Sequence, residues 1–343
     1  MTFFDKLTQN SPYVIAELSG NHQGRIDNAL SLIEAAKDAG ASAVKLQTYT
    51  ADTLTIDHDS SDFMIDSGPW AGYKLYDLYK EASTPWEWHE DLFKKAHELG
   101  LDIFSSPFDE TAVDFLESLN TPLYKIASFE ITDHNLLAYV ASKRKPIILS
   151  TGMATFKEIE EALTVITANG CSDIALLHCI SAYPAKPEDY NLNMIRSLKE
   201  RFNVVVGLSD HTLGATIPIA SVAMGAKIIE KHFTLSRAAG GVDAAFSAEP
   251  SELKAICEAV KTTWLALGTG EDKRASSELQ NMIFRRSIYP TKNIMSGETF
   301  TKENIKCIRP GFSLPTKYYK IILGKTAKTS INKGDRLSFE DMD

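Results

Sequence analysis

Between residues 13 and 234 the chain passes eight times through a short, β-branched, apolar segment that ends abruptly in polar or charged residues. The segments are Val14 to Ser19, Ala43 to Gln47, Ile103 to Ser106, Tyr124 to Glu130, Ile147 to Ser150, Ile174 to Ser181, Val204 to His211 and Ala226 to His232. Each has the composition of a buried parallel strand, and most are separated by stretches of helical periodicity, the pattern of repeated βα units. Eight such units predict an α/β fold of the TIM (β/α)8 barrel type, in which the C-terminal strand ends gather the chemically active side chains. After the first strand, Asp27 is the expected cap of a helix with Ala29, Leu30, Ile33 and Ala36 on one stripe and Gly40 past its end. Similar helices are expected over Phe156 to Ala168 and Ser251 to Leu267.

Two regions depart from the repeat. The connection from Thr50 to about Pro85 is too long and polar for a simple βα loop, and it carries the aromatic stretch Trp70 to Tyr79. Long loops at the active face of a barrel commonly act on substrate, although a peripheral helix with a Tyr/Leu face fits its second half equally. From Gly268 the barrel pattern stops. The predicted division is a catalytic barrel over 1–268, a linker over 269–283 and a small β-rich domain over 284–343. That last segment repeats itself: Ile294-x-x-Gly297-x-x-Phe300 with Glu303-Asn304-Ile305 returns as Ile331-x-x-Gly334-x-x-Leu337 with Glu340-Asp341-Met342. A pseudo-symmetric fold of that size has a marginal core, so docking on another surface is expected.

The 343 residues exceed the ~250 of a plain barrel, which agrees with a second domain. A net charge of −9 argues against nucleic acid as a partner, since phosphate backbones are met by basic surfaces. No secretory n-region and h-region pattern and no run of ~18 apolar residues is present, so a cytoplasmic protein without a membrane partner is expected. Cys171, Cys179, Cys257 and Cys307 are widely spaced and read as reduced structural thiols.

Alternate residues of a strand share a face. One parity collects Glu17 and Ser19, Lys45 and Gln47, Ser106, Ser128 and Glu130, Ser150, Ser181 and Tyr183, Ser209 and His211, and Glu230 and His232. The other residues are largely apolar, with Ile126, Leu149 and Leu208 as expected core residues; Lys125 breaks the pattern, and a bulge near Ala127 would bring it inward. The hydroxyls with Lys45, and Lys125 if it turns, form a donor ring suited to a phosphate and a carboxylate. His211 and His232 end neighbouring strands ~4.8 Å apart, so both imidazoles can reach one divalent metal. Two histidines without cysteine leave positions for water or substrate, an open Mn²⁺- or Mg²⁺-type site rather than a closed zinc site.

The motifs Ala16-Glu17-Leu18-Ser19-Gly20-Asn21-His22, Lys45-Leu46-Gln47-Thr48, Lys125-Ile126-Ala127-Ser128-Phe129-Glu130, Ser150-Thr151-Gly152-Met153, Gly207-Leu208-Ser209-Asp210-His211 and Glu230-Lys231-His232-Phe233-Thr234 together resemble the sialic acid synthase family. The C-terminal segment with Arg309-Pro310-Gly311 is similar to the family's antifreeze-like (SAF) domain, and the Trp70 to Trp88 stretch is most like the pseudaminic branch. The resemblance implies condensation of phosphoenolpyruvate with the open-chain aldehyde of an N-acetylated amino sugar. For the pseudaminic branch this is 2,4-diacetamido-2,4,6-trideoxy-L-altrose, with N-acetylneuraminic or legionaminic acid synthesis as the alternative. It implies that Lys45, Ser106, Lys125, Ser128, Ser150 and Ser209 hold phosphoenolpyruvate. His211 and His232 would bind the metal, Mn²⁺ foremost with Mg²⁺ or Co²⁺ as alternatives, and Glu17 would be the acid/base. Gln47, Glu130, Tyr183 and Asp243 would face the sugar, and Arg309 would reach it from the partner subunit of a domain-swapped homodimer. Ser181 stands where the family commonly carries an Asn. Two rival classes are a metal-dependent barrel hydrolase or aldolase, which needs no anion ring, and a carbohydrate- or ice-binding protein, which leaves the barrel tips unused.

Overall fold

The computed structural model describes residues 3, 4, 9 and 11–343. The chain forms two compact units, one up to Gly268 and one from Thr269 to Asp343. In the first, eight parallel strands close on themselves: β1 (Tyr13–Glu17), β2 (Ala43–Thr48), β3 (Asp102–Pro107), β4 (Tyr124–Ile126), β5 (Ile147–Ser150), β6 (Ile174–Cys179), β7 (Val205–Asp210) and β8 (Ile228–His232). Closure pairs β1 with β8 from Tyr13↔Ile228 to Glu17↔His232.

Both faces of these strands are buried, which is why they read as nearly continuous apolar runs. The outward residues Val14, Val44, Ile103, Tyr124, Leu149, Leu176, Leu208 and Ile229 pack into one large cluster with the surrounding helices. The inward residues Ile15, Ala43, Phe104, Ile148, Leu177 and Ile228 form a second cluster with Phe4 that fills the lower barrel. One layer further along, the inward positions turn polar: Glu17, Lys45, Ser106, Lys125, Ser150, Ser209 and Glu230 are all buried. The active face is therefore the same alternation carried two residues past the apolar plug.

Strand β4 corrects the expected parity. It ends at Ile126, and Ser128–Glu130 form a 3₁₀ turn rather than the continuation of a strand. Tyr124 and Ile126 lie in the outer cluster, so Lys125 between them points inward by ordinary alternation and needs no bulge. Ser128 and Glu130 are the residues that leave the strand pattern. Likewise β6 stops at Cys179 and β7 at Asp210, which places Ser181, Tyr183 and His211 just beyond their strands.

The helix Ile26–Asp38 begins after Arg25, so Asp27 lies within the first turn, favourable to the helix dipole, and is not its cap. Phe156–Ala168 has the expected limits and starts with a capping box in which Thr155 and Glu158 serve each other's backbone. The connection after β2 folds into a short hairpin, in which Ile65 N–H donates to the Tyr73 carbonyl (2.9 Å), followed by the helix Leu75–Ala82.

The second unit contains a three-stranded antiparallel sheet with β9 (Ser287–Pro290) between β10 (Ile305–Ile308) and β11 (Leu314–Pro315). Residues 276–284, most of them read as linker, form helical turns. The sequence repeat is structural: Ile294 and Ile331 exchange backbone hydrogen bonds of 2.9 and 2.8 Å. Phe300 and Leu337, and Ile305 and Met342, meet in the same small core. Gly297 and Gly334 hold equivalent left-handed positions, φ 82° and 90°, which explains why each half carries glycine there.

Candidate active site

At the centre of the barrel mouth two lysines and two carboxylates are buried together. The Lys45 ammonium lies 2.7 Å from Glu17 Oε2 and donates to Glu230 Oε1 at 3.0 Å. Lys125 Nζ donates to Ser150 Oγ at 2.8 Å and stands 3.6 Å from Glu230 Oε1. Glu17 Oε1 accepts from Ser19 N–H (3.1 Å) and from Gln47 Nε2 (3.0 Å). Burial lowers Lys45 to about 8 although Glu230 opposes the change. Burial also works to raise Glu230, but Lys125 and Lys45 prevail and hold it near 2. The group is thus a balanced set of charges in a closed barrel, anchored by register: Glu17 pairs with Lys45 on one side and with His232 on the other.

Hydroxyls surround this set. Ser209 Oγ donates to Glu230 Oε1 at 3.3 Å, and Gly152 N–H donates to Ser128 Oγ at 3.1 Å. Ser106 Oγ and Ser181 Oγ are buried without a hydrogen-bond partner among the described residues, as is Glu230 Oε2. Buried polar atoms are normally satisfied, so unpartnered hydroxyls beside two ammonium groups mark a place built for an acceptor-rich ligand.

The imidazoles stand at one edge of this ring. Their centroids are 5.4 Å apart. His211 Nδ1 is 2.7 Å from the Ile180 carbonyl, so that nitrogen donates and Nε2 is the one that carries a lone pair when the ring is neutral; burial works to lower His211, but Cys179 and the Ile180 carbonyl prevail and raise it. His232 Nδ1 is buried without a hydrogen-bond partner and 3.7 Å from Asp243 Oδ2, which accepts from the Ser19 hydroxyl. Burial and the neighbouring His211 keep His232 well below its ordinary value, in the neutral form a metal ligand requires. Tyr183 packs on His211 with ring centroids 4.3 Å apart.

Above the ring opens a cavity of about 360 Å³ lined by Gln47, Glu130, Tyr183, His232 and Asp243 together with a wall of apolar and aromatic side chains. Burial raises Glu130 to about 7, and its Oε2 has no hydrogen-bond partner among the described residues. A donor ring, two imidazoles and a separate cavity thus adjoin one another in the first unit alone.

The NeuB family profile matches residues 32–272, and the SAF domain profile matches residues 285–342. The chain belongs to the NeuB family. It is 45% identical to the pseudaminic acid synthase of Campylobacter jejuni, with 97% of each chain covered. It is 44% identical to that of Helicobacter pylori, covering 97% of this chain and 98% of the other. The N,N'-diacetyllegionaminic acid synthase of Legionella pneumophila is 36% identical, with 96% and 94% covered. Among solved structures, the N-acetylneuraminic acid (sialic acid) synthetase of Leptospira borgpetersenii superposes with a TM-score of 0.72 at 32% identity, covering 80% of this chain and 90% of that one. Like these relatives, the NeuB-family chain described here is an enzyme of the synthase type.

Within this NeuB barrel, Glu17, Lys45, Ser106, Lys125, Ser128, Ser150, Ser209, His211 and His232 occupy the mouth, and Gln47, Glu130, Tyr183 and Asp243 line its cavity. Arg309 belongs to the SAF unit, where it is exposed. Reading by residue type left Glu230 without a role, although it is the carboxylate both lysines approach; its place two residues before His232 on the same face was the available signal. Gly152 was also unassigned. A Cβ there would meet Ser181 Oγ and lie 2.7 Å from Ser128 Oγ, so glycine keeps the space between those hydroxyls open. Gly152→Ala is therefore expected to weaken the binding of inorganic phosphate about tenfold or more, measured by calorimetry; unchanged affinity would show that the hydroxyl ring is not the anion site.

Proposed function

We propose that the protein condenses phosphoenolpyruvate with 2,4-diacetamido-2,4,6-trideoxy-L-altrose to give pseudaminic acid and phosphate. The observation that carries this reading is the adjacency of Lys45, Lys125 and the unpartnered hydroxyls to an imidazole pair that opens into a cavity of sugar size. Identities of 44–45% to pseudaminic acid synthases, against 36% to a legionaminic acid synthase, support the choice of sugar.

The chemistry follows from these positions. Lys45, Lys125, Ser106, Ser128, Ser150 and Ser209 bind the phosphate and carboxylate and hold the enol carbon C3 toward the cavity. The free nitrogens of His211 and His232 fit a divalent cation, Mn²⁺ foremost, while Mg²⁺ or Co²⁺ would also suit them. Among the described residues no third His, Cys, Asp or Glu completes a ligand set. When bound, such an ion supplies Lewis-acid polarisation of the aldehyde oxygen. C3 attacks the aldehyde carbon, a new C–C bond forms, and water adds to C2. Breaking the C2–O bond then releases phosphate and leaves the 2-keto acid; one proton of the water ends on the new hydroxyl and the other on phosphate. The preorganised ammonium and hydroxyl donors meet the charge that develops as phosphate leaves. Glu17, held between Lys45 and Gln47 at the border of ring and cavity, is the group that moves the water's proton.

Phosphate release with phosphoenolpyruvate, Mn²⁺ and a panel of the altrose sugar, N-acetylmannosamine and the 2,4-diacetamido precursor of legionaminic acid tests this directly. The altrose sugar is expected to give the highest kcat/KM; turnover of another member alone would overturn the assignment. Glu17→Gln is expected to lower kcat by about 10²–10⁴ with a small change in the phosphoenolpyruvate KM. A change in KM alone would reduce Glu17 to a support for Lys45. We also propose that Arg309 serves the sugar site of a second copy in a homodimer. Mixing Arg309→Ala with Glu17→Gln is then expected to restore activity that neither variant has alone, and no restoration would refute the sharing.

A further inference from the structure

The cavity is two-sided, and its two sides differ in kind. Its polar lining, Gln47, Glu130, His232 and Asp243, comes from strand ends and the loops that follow them. Much of the remaining wall comes from the long connection after β2, through Leu54, Ile65, Trp70, Leu75, Leu78 and Tyr79. Four of these side chains carry no polar atom. The indole N–H of Trp70 is already given to the Val242 carbonyl at 2.9 Å. The backbone of Ile65 is satisfied on both sides, donating to Tyr73 O at 2.9 Å and accepting from Gly72 N–H at 2.8 Å. Among the described residues of this connection, the roof of the cavity, the hydroxyls of Tyr79 and of Tyr49 at its start are left to serve a ligand.

The roof is also fastened. Lys74 Nζ donates to Asp57 Oδ1 at 2.5 Å and to Asp59 Oδ1 at 3.1 Å, and the Tyr76 hydroxyl donates to Asp52 Oδ1 at 3.2 Å. Met64 and Lys74 form the bridge that closes the hairpin. An apolar surface held in shape by its own ion pairs offers shape and dryness, with hydrogen bonding left to the floor.

We infer that this roof is the specificity surface of the sugar site and selects a sugar whose far end is a methyl group over one that ends in a hydroxymethyl group. The inference rests on the proposed reaction for its orientation: with the aldehyde carbon at the imidazoles on the polar side, C6 of an open-chain sugar is the carbon that extends furthest toward the roof. A 6-deoxy sugar places a methyl against Ile65, Leu75 and their neighbours. A 6-hydroxy sugar would surrender the hydration of its hydroxyl there without a partner. Discrimination of this kind by an apolar wall reaches about 100-fold.

The test measures sugar affinity by calorimetry in the presence of inorganic phosphate, for 2,4-diacetamido-2,4,6-trideoxy-L-altrose and its 6-hydroxy counterpart. It uses the full chain and the variants Ile65→Asn, Leu75→Gln and Ile65→Val, with phosphate affinity as the check that each variant is folded. The unaltered protein is expected to favour the 6-deoxy sugar on the order of 10- to 100-fold. Either polar variant narrows that ratio about tenfold, and Ile65→Val keeps it. Equal affinity for the two sugars, or a ratio unmoved in both polar variants, would overturn the inference. Phosphate release is scored separately: a preference in binding without turnover of either sugar refutes the proposed reaction and sustains the roof.

Discussion

Everything at the barrel mouth depends on keeping four charges buried together. Lys45, Lys125, Glu17 and Glu230 sit in a closed barrel plugged beneath by Ile15, Phe104, Leu177 and Ile228, where an isolated ion would cost several kcal/mol. The cost is tolerable because the set is neutral and each ammonium has an oxygen within 3.0 Å. The same arrangement prepares the site. Under the proposed reaction the lysines are already desolvated and fixed when phosphoenolpyruvate arrives, so the protein reorganises little at that moment. Carboxylates that hold lysines in place also keep the ring from carrying an excess of positive charge.

That constraint propagates outward through register. Lys45 stands beside Glu17 in the β1–β2 ladder, and Glu17 stands beside His232 in the β1–β8 ladder, so the lysine and hydroxyl ring and the imidazole pair cannot shift independently. On the outer face of β7 and β8, Lys231 and Asp210 form a buried ion pair of 2.6 Å, and Lys231 also bonds the Thr212 carbonyl. Each of these residues immediately precedes His232 or His211. A pair whose loss of one partner costs about 3–5 kcal/mol thus ties together the two strand ends that present the imidazoles.

The cavity above the ring follows another logic. Its floor inherits polar groups from the strands, whereas its roof is an independent hairpin and helix held by Lys74 and by Trp70. Separating polar strand-end groups from an apolar wall lets the two vary independently, since the barrel supplies rigid strand ends and the connecting loop supplies the wall.

The eight strands and most of the polar tips were legible in the chain because a parallel barrel buries both strand faces and side chains alternate with a period of two. The repeat around Gly297 and Gly334 was legible for a similar reason, since each half needs a left-handed residue at the same place. Lys125 was misread because Ala127, Ser128, Phe129 and Glu130 continue to alternate after β4 has ended, and alternation alone does not mark where hydrogen bonding to the neighbouring strand stops. Asp27 was misread as a cap for want of backbone geometry at Arg25. The roles of Glu230 and Gly152 were hidden because they consist in distances to residues far away in sequence. The sequence by itself determined the barrel, its polar rim and the kinds of group on it, because these follow from local periodicity and side-chain chemistry. Only the tertiary structure decided which charges neutralise one another, which hydroxyls stay free and which wall faces the cavity, because ring closure brings together residues that no local pattern relates.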